Sequence, residues 1–387
     1  MNKIGIITKY YGSFNYGGCL QAYALYKYLT SIGQNAIQIN VYNRNFNSSM
    51  SLLKYYKNNG LTETIKKVIK KSLNITKAIS NKRIEKIINL RKNQIKEFNE
   101  KHIKATENVY DQFSIIKAND LFDAFFVGSD VVWNGIHSID NVYLLPGIAK
   151  KKYSYAASIT ESISDEQKDI FREALAGFNF IGVREDKAKT IIGECVKEDV
   201  QVVLDPVFLL NPFQWSVVSS ERLVPEKYVF CYLLGKDSDY KRKIEKFAKK
   251  NKLKIATIPY VKGDYSLSDS FFGDCRFDNA SQADFLSLIQ NAEYIFTDSF
   301  HCCAFSIIFE KQFLALERTD KDNQGMTSRL ENILKKCGIE NRIIRDPSAI
   351  ESTVLKEIKY EVIGRRLDDE IKRSKGFLDK CIDSIGY

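Results

Sequence analysis

Short apolar runs alternate with amphipathic stretches along most of the chain. KIGIIT at 3–8 is apolar almost throughout, which predicts a buried strand. The loop KYYGSFNYGG leads into CLQAYALYKYLTSIG, where Leu20, Tyr23, Ala24, Leu29 and Ile32 recur near a 3.6-residue period and Gly33 offers a stop. A strand near 36–41 completes a strand–helix–strand unit of the doubly wound kind. Ile65, Val68 and Ile69, then Ile84, Ile87 and Ile88, repeat at helical spacing and predict helix within 62–104. Strands at 122–127, 153–157, 178–183 and 201–205, with helices at 165–177 and from near Glu185, complete the first half. Pro206 and Pro212 mark the passage to the second.

The second half repeats the alternation. Strands are expected at 228–234, 253–258, 293–297 and 312–316, with helices at 237–250, 281–290, from about 302, and at 327–337. A helical tail follows over 351–384. The fold class is α/β, with two Rossmann-like domains facing a cleft. The domains are residues 1–210, with a helical insert at 54–104, and residues 211–350. Residues 351–387 form a C-terminal helix able to return to the first domain.

Composition adds limits. With 44% hydrophobic and 27% charged residues the chain reads as folded. No apolar run approaches the roughly 18 to 20 residues that span a bilayer, and the start MNKIGIITKYYG is too short for a secretory core, so a cytoplasmic place is expected. The eight cysteines contain no C-x-x-C pair, and three histidines are too few for a multi-histidine centre, so no metal site is expected.

Charge is unevenly spread. Fifteen Lys/Arg stand against four Asp/Glu between Lys54 and Lys104, whereas the whole chain carries +10. This surplus suits three roles, taken in order: a solvated helical hairpin whose isoleucines pack on the first domain, an anionic membrane surface or lipid pyrophosphate, and nucleic acid. The last is not expected.

Four loops at strand ends are rich in polar groups: GSFNYGG, VGSDVVWN at 127–134, IGVRED at 181–186 with VLDP at 203–206, and TDSFHCCAFS at 297–306. In the last, a helix start behind Asp298, Ser299 and His301 suits a phosphate or carboxylate. It equally suits a plain helix cap with His301 exposed. Arg184–Glu185 alone reads as a surface ion pair, and Asp205–Pro206 as a strand end.

Together, NYGGCLQAYAL, VGSDVVWN, YSYAAS, VREDKA, VLDPVFLL, TDSFHCCAFSIIFEKQF and MTSRLENILKKCGI resemble the polysaccharide pyruvyltransferase family over about residues 4 to 342. The resemblance implies a glycosyltransferase-B-like fold, with the acceptor on the first domain and the donor on the second. It implies phosphoenolpyruvate as donor and co-substrate, with no other cofactor. The acceptor is a sugar of a lipid-linked or polymeric glycan at the inner face of the membrane, and the product a pyruvate ketal made in cell-surface polysaccharide biosynthesis. His301 matches the motif histidine, Arg184 the arginine near the donor, and Asp130 and Asn15 polar positions facing the cleft. Tyr16 and Trp133 stand beside them on the acceptor side. Some members carry Arg-Leu-His where this chain has Ser299-Phe300-His301, and Arg329 or Lys321 is expected to supply that missing charge.

The expected roles follow from the chemistry. His301 is the general acid toward the donor's methylene carbon, and Asp130 or Asp298 assists the attacking hydroxyl. Arg184, Ser299, Arg329 and Lys321 hold the donor's anions. The alternatives are a nucleotide-sugar-dependent glycosyltransferase of the same fold and a non-catalytic nucleic-acid-binding protein using the basic insert.

Overall fold

The computed structural model describes residues 2–42, 75–235, 238–260, 271–318 and 324–386, with backbone only at 75–83 and 324–326. Strand β1 (Lys3–Ile7) is followed by α1 (Tyr16–Ser31), whose N-terminus is capped by the side chain of Asn15 through Gly17 N. That cap starts the helix three residues before the apolar period becomes visible. Next come β2 (Asn35–Val41), α2 (Ile75–His102), β3 (Ala105–Tyr110), β4 (Ala124–Val127) and β5 (Lys151–Ala157). Then follow α3 (Asp165–Leu175), β6 (Phe180–Val183), α4 (Asp186–Gly193), β7 (Val200–Val202) and α5 (Pro212–Ser216).

These seven strands form one parallel sheet in the order β3-β2-β1-β4-β5-β6-β7. The strand read from sequence at 201–205 ends early, because Asp205 caps a 3-10 turn at Pro206–Leu209.

The second sheet uses β8 (Tyr228–Tyr232), β9 (Lys254–Thr257), β10 (Cys275–Arg276), β11 (Tyr294–Thr297), β12 (Gln312–Leu316) and β13 (Ile343–Ile344). Helices α6 (Ser238–Lys250), α7 (Gln282–Gln290), α8 (Phe300–Ile308) and α9 (Gln324–Cys337) connect them. All its strand pairs are parallel, in the order β10-β9-β8-β11-β12-β13. Each sheet therefore reverses its winding once, beside β1 and β8. Ligands of such sheets bind beyond the strand ends near that point.

Three contacts lock the domains together. Tyr16, fully buried, stacks on Phe285 at 5.1 Å, and its hydroxyl donates to Ala280 O at 2.7 Å. Arg91 of α2, also buried, donates to Pro259 O and Asp278 O, each at 3.0 Å. Gln282 of α7 donates to Ile95 O and Asn99 Oδ1 on the same helix. Within the basic insert, α2 therefore packs on the first domain, as its isoleucines suggest, and on the second as well.

The tail forms α10 (Ile350–Val354) and α11 (Tyr360–Asp383). Helix α11 leaves the second domain, where Lys336 meets Glu370 at 2.9 Å, and packs on the first. There Ser374 Oγ accepts from Leu204 N at 2.9 Å, and Phe377 lies where Gly182 leaves room.

Candidate active site

The first domain contributes a buried cluster of opposite charges. The chain turns at Gly128 after β4, where a Cβ would collide with Tyr155 O and φ is +113°. Asp130 then takes a left-handed φ of 63°, a conformation that Asp tolerates better than most residues. Arg184 follows β6 and is 3% exposed. Its Nε donates to Glu185 Oε1 at 2.8 Å and its Nη1 to Asp205 Oδ2 at 2.7 Å, while Nη2 lies 3.6 Å from Asp130 Oδ1. Ser158 Oγ donates to Glu185, and Ser129 Oγ to Asp205. Arg184–Glu185 is thus no surface pair, and Asp205 is an interior anion.

The second domain closes on this cluster with the first turn of α8 and with α9. His301 is 6% exposed, so a cap with an exposed imidazole is excluded. It sits against Gly17, where any Cβ would strike the ring. Its Nε2 lies 3.5 Å from Asp205 Oδ2, longer than an ordinary hydrogen bond, and has no hydrogen-bond partner among the described residues. The ring of Phe300 lies beneath the Arg184 guanidinium at 4.5 Å and near that of Arg329 at 5.9 Å. Arg329 Nη1 donates to Asp130 Oδ1 at 3.3 Å.

The charges shift one another. Burial alone would raise the Asp130 and Asp205 carboxyls. The groups facing them, Arg184 with His301 and Arg329 for Asp130, and His301 with Arg184 for Asp205, hold both below the usual range. Burial disfavours the Arg184 cation, yet Glu185, Asp205 and Asp130 together raise its pKa. Arg329 is pulled down to about 10, by burial first and then by Arg184. Arg184 is accordingly neutralised on three sides, whereas Arg329 stands in a field where more negative charge is favourable.

Ser299 occupies the N-cap position of α8, but its side chain makes no cap bond. Asp298 is engaged elsewhere. Its carboxylate accepts from Leu234 N at 2.8 Å and Gly235 N at 2.6 Å and pairs with Arg318 Nε at 3.2 Å. Those bonds make it the brace of the β8 loop, a role at odds with the expected base. Arg318, two residues beyond β12, is the cation that the sequence reading missed; its only signal is its place at the carboxyl end of a buried strand.

Two acceptor residues are corrected. Trp133 is fully buried, donates Nε1–H to Tyr143 O at 3.2 Å and packs edge-on to Phe171, so it belongs to the core. Tyr16 is likewise buried and serves the domain contact. Asn15 is exposed and caps α1. Lys321 lies outside the described residues, as do residues 54–74 of the basic insert.

The family model for polysaccharide pyruvyl transferase matches residues 15–320, a span holding Asn15, Asp130, Arg184, Asp205 and His301. The chain belongs to the polysaccharide pyruvyl transferase family. It is therefore a member of a transferase family that acts on polysaccharide. No curated protein matches it. Among solved structures it is similar to a UDP-N-acetylglucosamine 2-epimerase at TM-score 0.57 and 10% identity, covering 100% of this chain and 96% of that one. The enzyme of that name from Rickettsia bellii gives 0.55 and 11%, covering 100% and 98%. That from Methanocaldococcus jannaschii gives 0.51 and 10%, covering 91% of each. These likenesses concern the fold, which is glycosyltransferase-B-like. Among the described residues no helix is long and apolar enough to cross a membrane.

Proposed function

We propose that this polysaccharide pyruvyl transferase takes phosphoenolpyruvate as donor and builds a pyruvate ketal on a sugar of a lipid-linked glycan. The observation that carries the reading is His301. An imidazole on the first turn of α8 is held by Gly17 against buried carboxylates, with Nε2 unbonded among the described residues. The positive end of α8, Ser299 and Arg329 suit the donor's phosphate and carboxylate. Arg184 is the scaffold that fixes Asp130 and Asp205.

In the first step His301 gives a proton to the methylene carbon, making carbon 2 electrophilic. A sugar hydroxyl adds there and passes its proton to Asp130, from which it can return to His301. The carbon–oxygen bond to phosphate then breaks, the second hydroxyl adds, and its proton leaves with inorganic phosphate. One donor and one diol thus yield one ketal and one phosphate.

The test supplies phosphoenolpyruvate with a panel of galactosides and N-acetylhexosaminides, free and lipid-linked. Phosphate release together with a product heavier by pyruvate minus water is expected. Release of a nucleoside diphosphate from a nucleotide sugar, with phosphoenolpyruvate left intact, would overturn it.

A further inference from the structure

With Tyr16 and Trp133 buried, the acceptor needs another surface, and the first domain offers one. A cavity of about 760 Å³ lies between α2 and the carboxyl ends of β1 and β2, reaching the start of β3. Its size falls within the range of preformed small-molecule sites. The β1–α1 loop gives it Tyr10 and Tyr11, β2 gives Asn40, α2 gives Asn93, and β3 gives Thr106.

One side of the cavity is preorganised. Tyr10 donates its hydroxyl to Asn40 Oδ1 at 2.5 Å, and Asn40 Nδ2 donates to Thr106 O at 2.7 Å. The formal charges of the lining cancel, with Lys92 and Lys96 against Glu100 and Glu107. A polyanion or a cation gains nothing net there. Amides and hydroxyls donate and accept at once, as sugar hydroxyls do. Tyr11, 47% exposed, offers a flat ring for the C–H face of a pyranose.

Position completes the case. The loop that walls the cavity runs on to Asn15 and Gly17, the residue that His301 touches. Along the chain, Ser13 of the cavity wall and Gly17 beside the histidine are four residues apart.

We infer that this cavity binds the neutral sugar units of the acceptor glycan next to the unit that receives pyruvate. The inference rests on the pyruvyl-transfer reading for the identity of its glycan, but not for the binding itself. Helix α2, part of the basic insert, then selects the acceptor.

The test uses lactose, cellobiose and N,N′-diacetylchitobiose as probes, read by saturation-transfer NMR on the full chain. Phosphoenolpyruvate affinity is measured separately by calorimetry. The parent is expected to bind at least one disaccharide. Tyr11→Ala should weaken that binding roughly three- to tenfold, the scale of a lost aromatic contact. Asn93→Trp, at an exposed helix position, should block it, and both variants should keep the parent's phosphoenolpyruvate affinity. No binding of any disaccharide by the parent, or parent-like binding by both variants, overturns the inference. Disaccharide binding without phosphoenolpyruvate binding would instead sink the pyruvyl-transfer reading and leave the cavity's assignment standing.

Discussion

At position 17 the absence of a side chain decides where His301 can stand, because the imidazole fills the space a Cβ would need. If arginine and backbone hold the donor as proposed, His301→Gln is expected to keep donor affinity while turnover falls roughly 100-fold. Gly17→Ala removes no chemical group, yet it should also depress turnover, by pushing α8 away, with an overpacking cost of about 1–3 kcal/mol. Phosphate release and thermal midpoint measured on both variants check this. A parent-like rate for His301→Gln, with only a lower midpoint, would make the histidine a packing contact. Asp205 gives a pH prediction. Its folded pKa is depressed, so its contribution is fully present above the unfolded value of about 3.9 and fades as pH falls below that. Asp205→Asn should lose about 3–5 kcal/mol near neutrality, as for a broken buried pair, and show a shallower fall in stability below pH 4. Acid titrations of urea midpoints would show an unchanged slope if Asp205 is not so placed. Neither Asp205 nor Glu185 was legible as a site residue, because a carboxylate at a strand end looks the same in sequence whether water or an arginine faces it. Trp133 erred the other way: its place beside polar residues put it on the acceptor side, but Phe171 and Tyr143 claim it.

Among elements, the central strands and most helices were legible because a doubly covered sheet needs unbroken apolar runs and its helices need one apolar stripe. The edges were not. Strand β3, largely polar and exposed, carries no such run, and β10 is two residues long. Helix α2 showed its period but not its partner. Arg91 counted as one of fifteen cations, and nothing local to it announces Pro259 or Asp278 as its acceptors. Arg91→Ala is expected to cost on the order of 1.5–3 kcal/mol per charged hydrogen bond lost and to loosen the domain contact. Scanning calorimetry should then resolve two transitions where the parent shows one. A single transition with an unchanged midpoint would mean that Tyr16 and Gln282 hold the domains without it.

At the level of the whole molecule, the doubled sheet order puts the carboxyl ends of both sheets at one seam, where residues as distant as Asp130 and Arg329 meet. The tail has a consequence for how the protein is made. Domains are usually completed in the order in which they emerge during synthesis. Here the sheet begun by Lys3 keeps an uncovered patch around Tyr155, Gly182 and Leu204 until Ser374 and Phe377 have been added. The half of the molecule that leaves the ribosome first is therefore finished last, and it must wait through the folding of its neighbour with an apolar face open to chaperones.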